Sequence, residues 1–179
     1  MNATQRPVSA WSGETDSAKA SAEILAQLGD SVPKLIVFFA TVEHDGSLIG
    51  DVFSRRYPGA HVAGCSSNGE FSDRGFGTGG VVALALGSDM LADVASALAD
   101  LESGVAEGIS AAAQALGSEV GCPLRELDPQ KWVGLGLLEG ATGREEKINE
   151  ALGNEAPLLP FVGGSAGDRI RFERTWVYA

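Results

Sequence analysis

Cysteine is nearly missing from this 179-residue chain: Cys65 and Cys122 are its two thiols and neither sits in a CxxC pair. A disulfide framework or a structural zinc site therefore has no support. Histidine is as scarce, with His44 and His61 alone. Basic residues are the third shortage, 13 Lys and Arg against 24 Asp and Glu, for a formal net charge of -11. A chain of that sign repels phosphate backbones and anionic bilayers, which argues against nucleic-acid and membrane-surface partners. The longest apolar runs, Leu35 to Ala40 and Val81 to Leu86, fall far short of the ~20 residues that a bilayer span requires. The start, MNATQRPVSAW, has no basic stretch followed by an apolar one, so no secretory signal is expected. These shortages together predict a cytoplasmic protein with reduced thiols, no nucleic-acid partner and no membrane partner.

Glycine, by contrast, is abundant: 24 of 179 residues, about twice the usual ~7%, with no three-residue period, so the excess marks turns rather than a collagen repeat. The length suits a single domain over residues 1–179. Along it, Ala18, Ala22, Leu25 and Leu28 recur at helical spacing up to Gly29, and KLIVFFA (34–40) has the length and composition of a buried strand. Leu48, Ile49, Val52 and Phe53 mark a second helix, His61 to Cys65 a short strand, and Val81 to Leu86 another. Residues 89–97 alternate weakly and predict a hairpin return. Val105, Ile109, Ala112, Ala113 and Leu116 form a third helical stripe ended by Gly117. Lys131 to Leu138 reads as a strand, and Thr142 with Glu145 as a capping box opening a fourth helix. Residues 160–162 and 170–178 read as the last strands.

The order of elements before Gly87 recurs after it. Pro58 and Pro157, Gly64 and Gly163, and Ser66 and Ser165 are each 99 residues apart, which predicts two internal repeats, 8–88 and 89–179. The expected fold class is α/β: a mixed sheet or sheets flanked by helices, built from two pseudo-repeated strand-helix-strand-helix-strand units.

Three motif matches fail on context. Gly163, Ser165 and Gly167 fit G-x-S-x-G, but a nucleophile elbow needs a following helix and a downstream histidine, whereas an alternating RIRFERTWVY follows and both histidines lie upstream. Gly75, Gly77 and Gly80 fit G-x-G-x-x-G but open a strand, where a dinucleotide site opens a helix. Cys65 has His61 four residues earlier, yet four residues along a strand span roughly 13 Å. A hydrolase using Ser165 or Cys65 stays as one alternative, and haem held by His44 as another.

What remains is a pair of loops, Gly64 to Glu70 and Gly163 to Asp168, each following a core strand and ending in an acid. Their candidate ligand residues are Cys65, Ser66, Ser67, Asn68, Gly69 and Glu70 in the first, and Gly164, Ser165, Ala166, Gly167 and Asp168 in the second. Small residues in sequence expose backbone N–H groups suited to a ligand carboxylate. Glu70 and Asp168 are then placed to take a ligand ammonium, which points to a small zwitterion such as an amino acid. The plainer alternative is two tight turns whose serines bond their own backbone. No metal site and no resident cofactor are expected apart from the haem alternative. Without an acid, base and nucleophile set, the chain is not expected to be an enzyme.

The segments KLIVFFA, HVAGCSSNGEF and LPFVGGSAGD, with the closing TWVY, together resemble the amino-terminal FIST domain, a sensory domain of bacterial signalling proteins. The resemblance runs from the first strand to Tyr178, and GCSSNGE and GGSAGD are its specific part. It implies a cytoplasmic signal-transduction sensor for a small ligand, with amino acids the proposed class, partnered by a carboxyl-terminal FIST domain or a signalling output module. Some relatives are similar to haem-based nitric oxide sensors. The sequence stops at Ala179 with no residues for the companion domain, so the expectation is a companion supplied from elsewhere or a larger chain, and a bare edge that favours a homo-oligomer.

Overall fold

The computed structural model describes residues 7–73 and 75–179. Its largest unit is a five-stranded mixed sheet. The apolar run after Pro33 forms β2 (Pro33–Thr41), which pairs in parallel with β3 (His61–Ser67). On its other side β2 pairs antiparallel with β6 (Val81–Gly87), which in turn pairs antiparallel with β1 (Val8–Ser12). Strand β9 (Val177–Tyr178) closes the far edge, antiparallel to β3. The crossover between the parallel strands is α2 (Gly46–Arg56), opened by the Asp45 side chain accepting from the Leu48 N–H at 3.0 Å. Helix α1 (Ser17–Leu28) is capped by Asp16 in the same way.

The core lies between one face of this sheet and both helices. Ile36, Phe38 and Ala40 of β2 meet Ile24 and Leu28 of α1 and Ile49 and Phe53 of α2, the pattern that period-2 strands and 3.6-residue helices impose when they share a core. Phe38 is 0% exposed. Its ring meets Phe53 edge-on at 5.6 Å and lies 5.9 Å from Trp176 and 6.0 Å from Tyr178.

The second half repeats part of this order. Helix α3 (Val105–Val120) precedes β7 (Gly134–Leu138), and α4 (Glu145–Glu155) crosses over to β8 (Phe161–Ser165), parallel to β7. Ile109, Ile148 and Ala151 join Leu138 in a smaller cluster between the helices and the strand pair. The expected hairpin at 89–97 is not formed: residues 88–104 have no regular strand, because the alternation there is weak and Asp89 and Asp93 favour turns. The last strand is two residues rather than nine, since residues 168–174 wind around a carboxylate. The full five-element repeat is therefore absent from the second half. The interleaved helices and mixed sheets of an α/β fold are present.

Three local expectations are also revised. The glycine-rich stretch after β3 holds a small hairpin, β4 (Glu70–Ser72) with β5 (Gly75–Gly77). Helix α3 runs through Gly117 to a left-handed Gly121, because Gly117 is buried within the helix, where Cys122 and Pro123 crowd it. Thr142 does not cap α4, whose first turn starts after Arg144. Among the described residues no helix is long and apolar enough to cross a membrane.

Candidate functional site

The loop after β3 is built around a buried carboxylate. Glu70 is 1% exposed. Its Oε1 accepts from the Thr41 hydroxyl at 3.0 Å and the Ser67 hydroxyl at 2.5 Å, and its Oε2 accepts from the Gly80 N–H at 3.3 Å. Thr41 Oγ1 accepts in turn from the Gly79 N–H at 2.7 Å. Glu70 thus ties together the carboxyl end of β2, the carboxyl end of β3 and the start of β6. A buried carboxylate needs such partners, and its lone pairs are turned toward its own chain.

The loop after β8 is also built around a carboxylate. Asp168 is buried, and its oxygens accept four successive backbone N–H groups: Arg171 and Phe172 at 3.0 Å, Glu173 at 2.6 Å and Arg174 at 3.2 Å. The Glu173 N–H leads in holding the Asp168 carboxyl below its ordinary range, against an opposing push from burial, with help from Phe172, Arg174 and Arg171. Around it Arg169, Ile170 and Phe172 adopt left-handed backbone, φ 62, 63 and 57.

The two loops meet, although they are about a hundred residues apart in sequence. The Gly167 N–H donates to the Ser66 carbonyl at 2.9 Å, and the Arg169 N–H donates to Asn68 Oδ1 at 2.7 Å. Ser66 also takes the Trp176 N–H on its hydroxyl at 3.2 Å and donates its own N–H to the Trp176 carbonyl at 3.0 Å. A Cβ at Gly167 would push the Asn68 amide aside, and with it the bond that Asn68 makes to the Arg169 N–H. Glycine is required at 163, where φ is 151 and a Cβ would strike the backbone of Gly136. The junction sits at the carboxyl ends of β2 and β3, the edge where α/β sheets present ligands.

Of the expected ligand residues, Ser66, Asn68, Gly167 and Asp168 lie in or beside this junction, with Gly69 next to Asn68 and packed on the Phe76 ring. Ser67 is turned to Glu70. Glu70 and Asp168 do not face a ligand as ammonium receptors, because hydrogen bonds within the chain take up their carboxylates. Gly164 and Ser165 lie on exposed β8, with Ser165 Oγ donating to Glu145 Oε1 at 3.2 Å, and Ala166 is buried with its N–H on the Leu138 carbonyl. Cys65 is buried in β3, and burial pushes its thiol up to about 11, a setting that disfavours the reactive thiolate.

Neither histidine is placed for the alternatives. His44 is buried, with Nδ1 3.1 Å from the Ser17 hydroxyl and Nε2 3.4 Å from the Gly79 carbonyl. Both ring nitrogens are occupied, so these residues do not fit an axial haem ligand. His61 opens β3 at the opposite end and contacts Ser96 at 2.9 Å and Glu119 at 3.5 Å. The serine elbow lacks its helix, since the chain after Gly167 enters the Asp168 winding.

Several residues of the site went unnoticed in the sequence. Glu43 pairs with Arg169 at 3.7 Å and Arg171 at 3.3 Å. The visible signal was three arginines within RIRFER in an otherwise acidic chain. Glu139, just past β7, accepts from the Thr142 hydroxyl at 2.6 Å and the Thr175 hydroxyl at 2.7 Å. Burial pushes its carboxyl up, but these two bonds and the Ala141 and Thr142 N–H groups together hold it below the ordinary range. Two grooves lie away from the loops. One of about 630 Å³ runs between α3 and α4 beside Arg144 and Lys147, and one of about 610 Å³ lies beside Cys122 and Arg125.

A search of the curated proteins and one of the solved structures returned no match. The family model described as FIST N domain matches residues 34–179, from the first residue after Pro33 to the end of the sequence. That span holds both loops, both parallel strand pairs and the winding on Asp168. The chain belongs to the FIST N domain family, a family of signal-transduction sensory domains.

Proposed function

We propose that this sensory domain binds a small polar ligand at the junction of the two loops and passes occupancy to a signalling output module in the cytoplasm. The observation that carries the reading is the meeting of two small-residue loops, one from each half, at the carboxyl edge of the sheet. Amino acids are the first class to test. Charged recognition then falls to Glu43, Arg169 and Arg171, whose side chains are 44%, 37% and 50% exposed. A glutamate facing two arginines offers one partner for an ammonium and two for a carboxylate. The role is non-enzymatic on this reading: Cys65 is buried, Ser165 is bonded to a glutamate, and each histidine is engaged elsewhere.

Thermal unfolding against a panel of the common amino acids is the direct test. A ligand at a hundredfold excess over its dissociation constant stabilises by about 2.7 kcal/mol. The shift should shrink in Glu43→Gln and Arg171→Gln. A panel without any shift refutes the amino-acid class.

A further inference from the structure

The segment between Asp168 and Trp176 is out of keeping with the rest of the fold. Most turns here use glycine where the backbone turns left-handed, yet Arg169, Ile170 and Phe172 all adopt that region. For a β-branched residue such as Ile170 it is an outlier. Nor does apolar burial offset the strain, because Ile170 is 73% exposed and Phe172 is 75% exposed. Strain of this kind persists only where the surroundings over-determine it, and it gathers at clamps and switches.

What holds the winding is a short set of polar ties. Asp168 collects the N–H groups of residues 171 to 174, Asn68 takes the Arg169 N–H, and Glu43 takes the Arg169 and Arg171 guanidinium groups. The ion pairs are half exposed and contribute little on their own. One carboxylate therefore carries most of the closure. The winding is anchored to the β3 loop through Asn68 and to the β2–α2 loop through Glu43, so it lies across the same carboxyl edge as the loop junction.

We propose that residues 169–174 form a strap with two states, latched over the loop junction by the Asp168 carboxylate and biased toward opening by the left-handed backbone at Ile170 and Phe172. In the closed state the charge-assisted bonds to Asp168 offset the backbone strain. In the open state the strain relaxes, Asn68 and Glu43 are released, and the polar groups of the β3 loop are uncovered. A ligand that bonds Asn68 or Glu43 competes with the strap and shifts its population, which supplies the conformational difference a sensor must report. That purpose rests on the ligand reading above. The two-state behaviour does not.

Amide hydrogen exchange on the full chain, without ligand, tests the latch. Asp168→Asn should speed exchange at residues 171–174 roughly tenfold, by loss of the charged acceptor, while β2 and β3 amides stay protected. Ile170→Gly should slow exchange at the same amides by roughly fivefold or more, by relief of the strain. Opposite signs from these neighbouring substitutions would place the Asp168 bonds and the Ile170 strain on opposite sides of one opening equilibrium. If Asp168→Asn fails to fold, Ile170→Gly and Phe172→Gly decide the matter alone. Unchanged or faster exchange in the glycine variants overturns the strap, as does an Asp168→Asn effect spread equally through β2 and β3. An amino-acid panel without a hit would refute the ligand reading and leave this result standing.

Discussion

The two parallel strand pairs of this protein share an order of elements and differ in nearly everything that stabilises them. Strand β2 lies between two neighbours, with α1 and α2 packed on its inner face, and Ile36, Phe38 and Ala40 are fully buried. Strand β8 has β7 as its single partner, and all five of its residues are exposed, Val162 to 58%. Parallel strands are ordinarily covered on both faces, and a two-stranded sheet gains little stability by itself. The first pair is thus a framework that can hold strain elsewhere, while the second depends on its helices and on contacts such as Ala166 to Leu138. The loop junction joins the two, so the rigid half positions Ser66 and Asn68 while the weaker half delivers Gly167 and the strap.

Substitutions separate the halves by size of effect. The largest change is expected for Phe38→Ala, which removes a fully buried ring touching Phe53, Trp176 and Tyr178. Denaturant unfolding should show a loss of about 3–5 kcal/mol, and a loss below ~1 kcal/mol would mean the first sheet is not the framework. Glu70→Gln comes next, at about 1–3 kcal/mol, because a neutral amide has one acceptor oxygen where the carboxylate offers two, and it loses the charge-assisted bonds to Thr41, Ser67 and Gly80. Stability equal to the parent would show that Glu70 is not the tie between β2, β3 and β6. Val162→Ser on the exposed strand should fall within about 0.5 kcal/mol. A large loss there would show that β8 is covered in solution.

Much of the framework was legible because its signals were dense. KLIVFFA has strand composition over its whole length, and Leu48, Ile49, Val52 and Phe53 hold a helical period that places Ile49 and Phe53 in the core. The spacing of Gly64 with Gly163 and Ser66 with Ser165 marked the two loops as a pair, but the contacts that join them run from Gly167 to Ser66 and from Arg169 to Asn68, outside that spacing. The roles of the acids were not. Glu70 and Asp168 look like ligand groups in sequence because each ends a loop of small residues. Nothing local reveals that Thr41, 29 positions away, bonds one of them, or that the chain after the other curls back on it. The alternation in RIRFERTWVY suggested a strand for the same reason. Period-2 patterning reports side-chain polarity, and here one carboxylate gathering four N–H groups overrode it.

The proposed ligand site is the loop junction rather than either groove. The most direct measurement is a backbone amide NMR titration of the intact chain with whichever amino acid gives the largest thermal shift. The strongest perturbations should fall on residues 66–70 and 165–176, with Asn68, Gly167 and Arg169 among them. Perturbations centred on Arg144, Lys147 and the start of α3, with the loops unmoved, would contradict it.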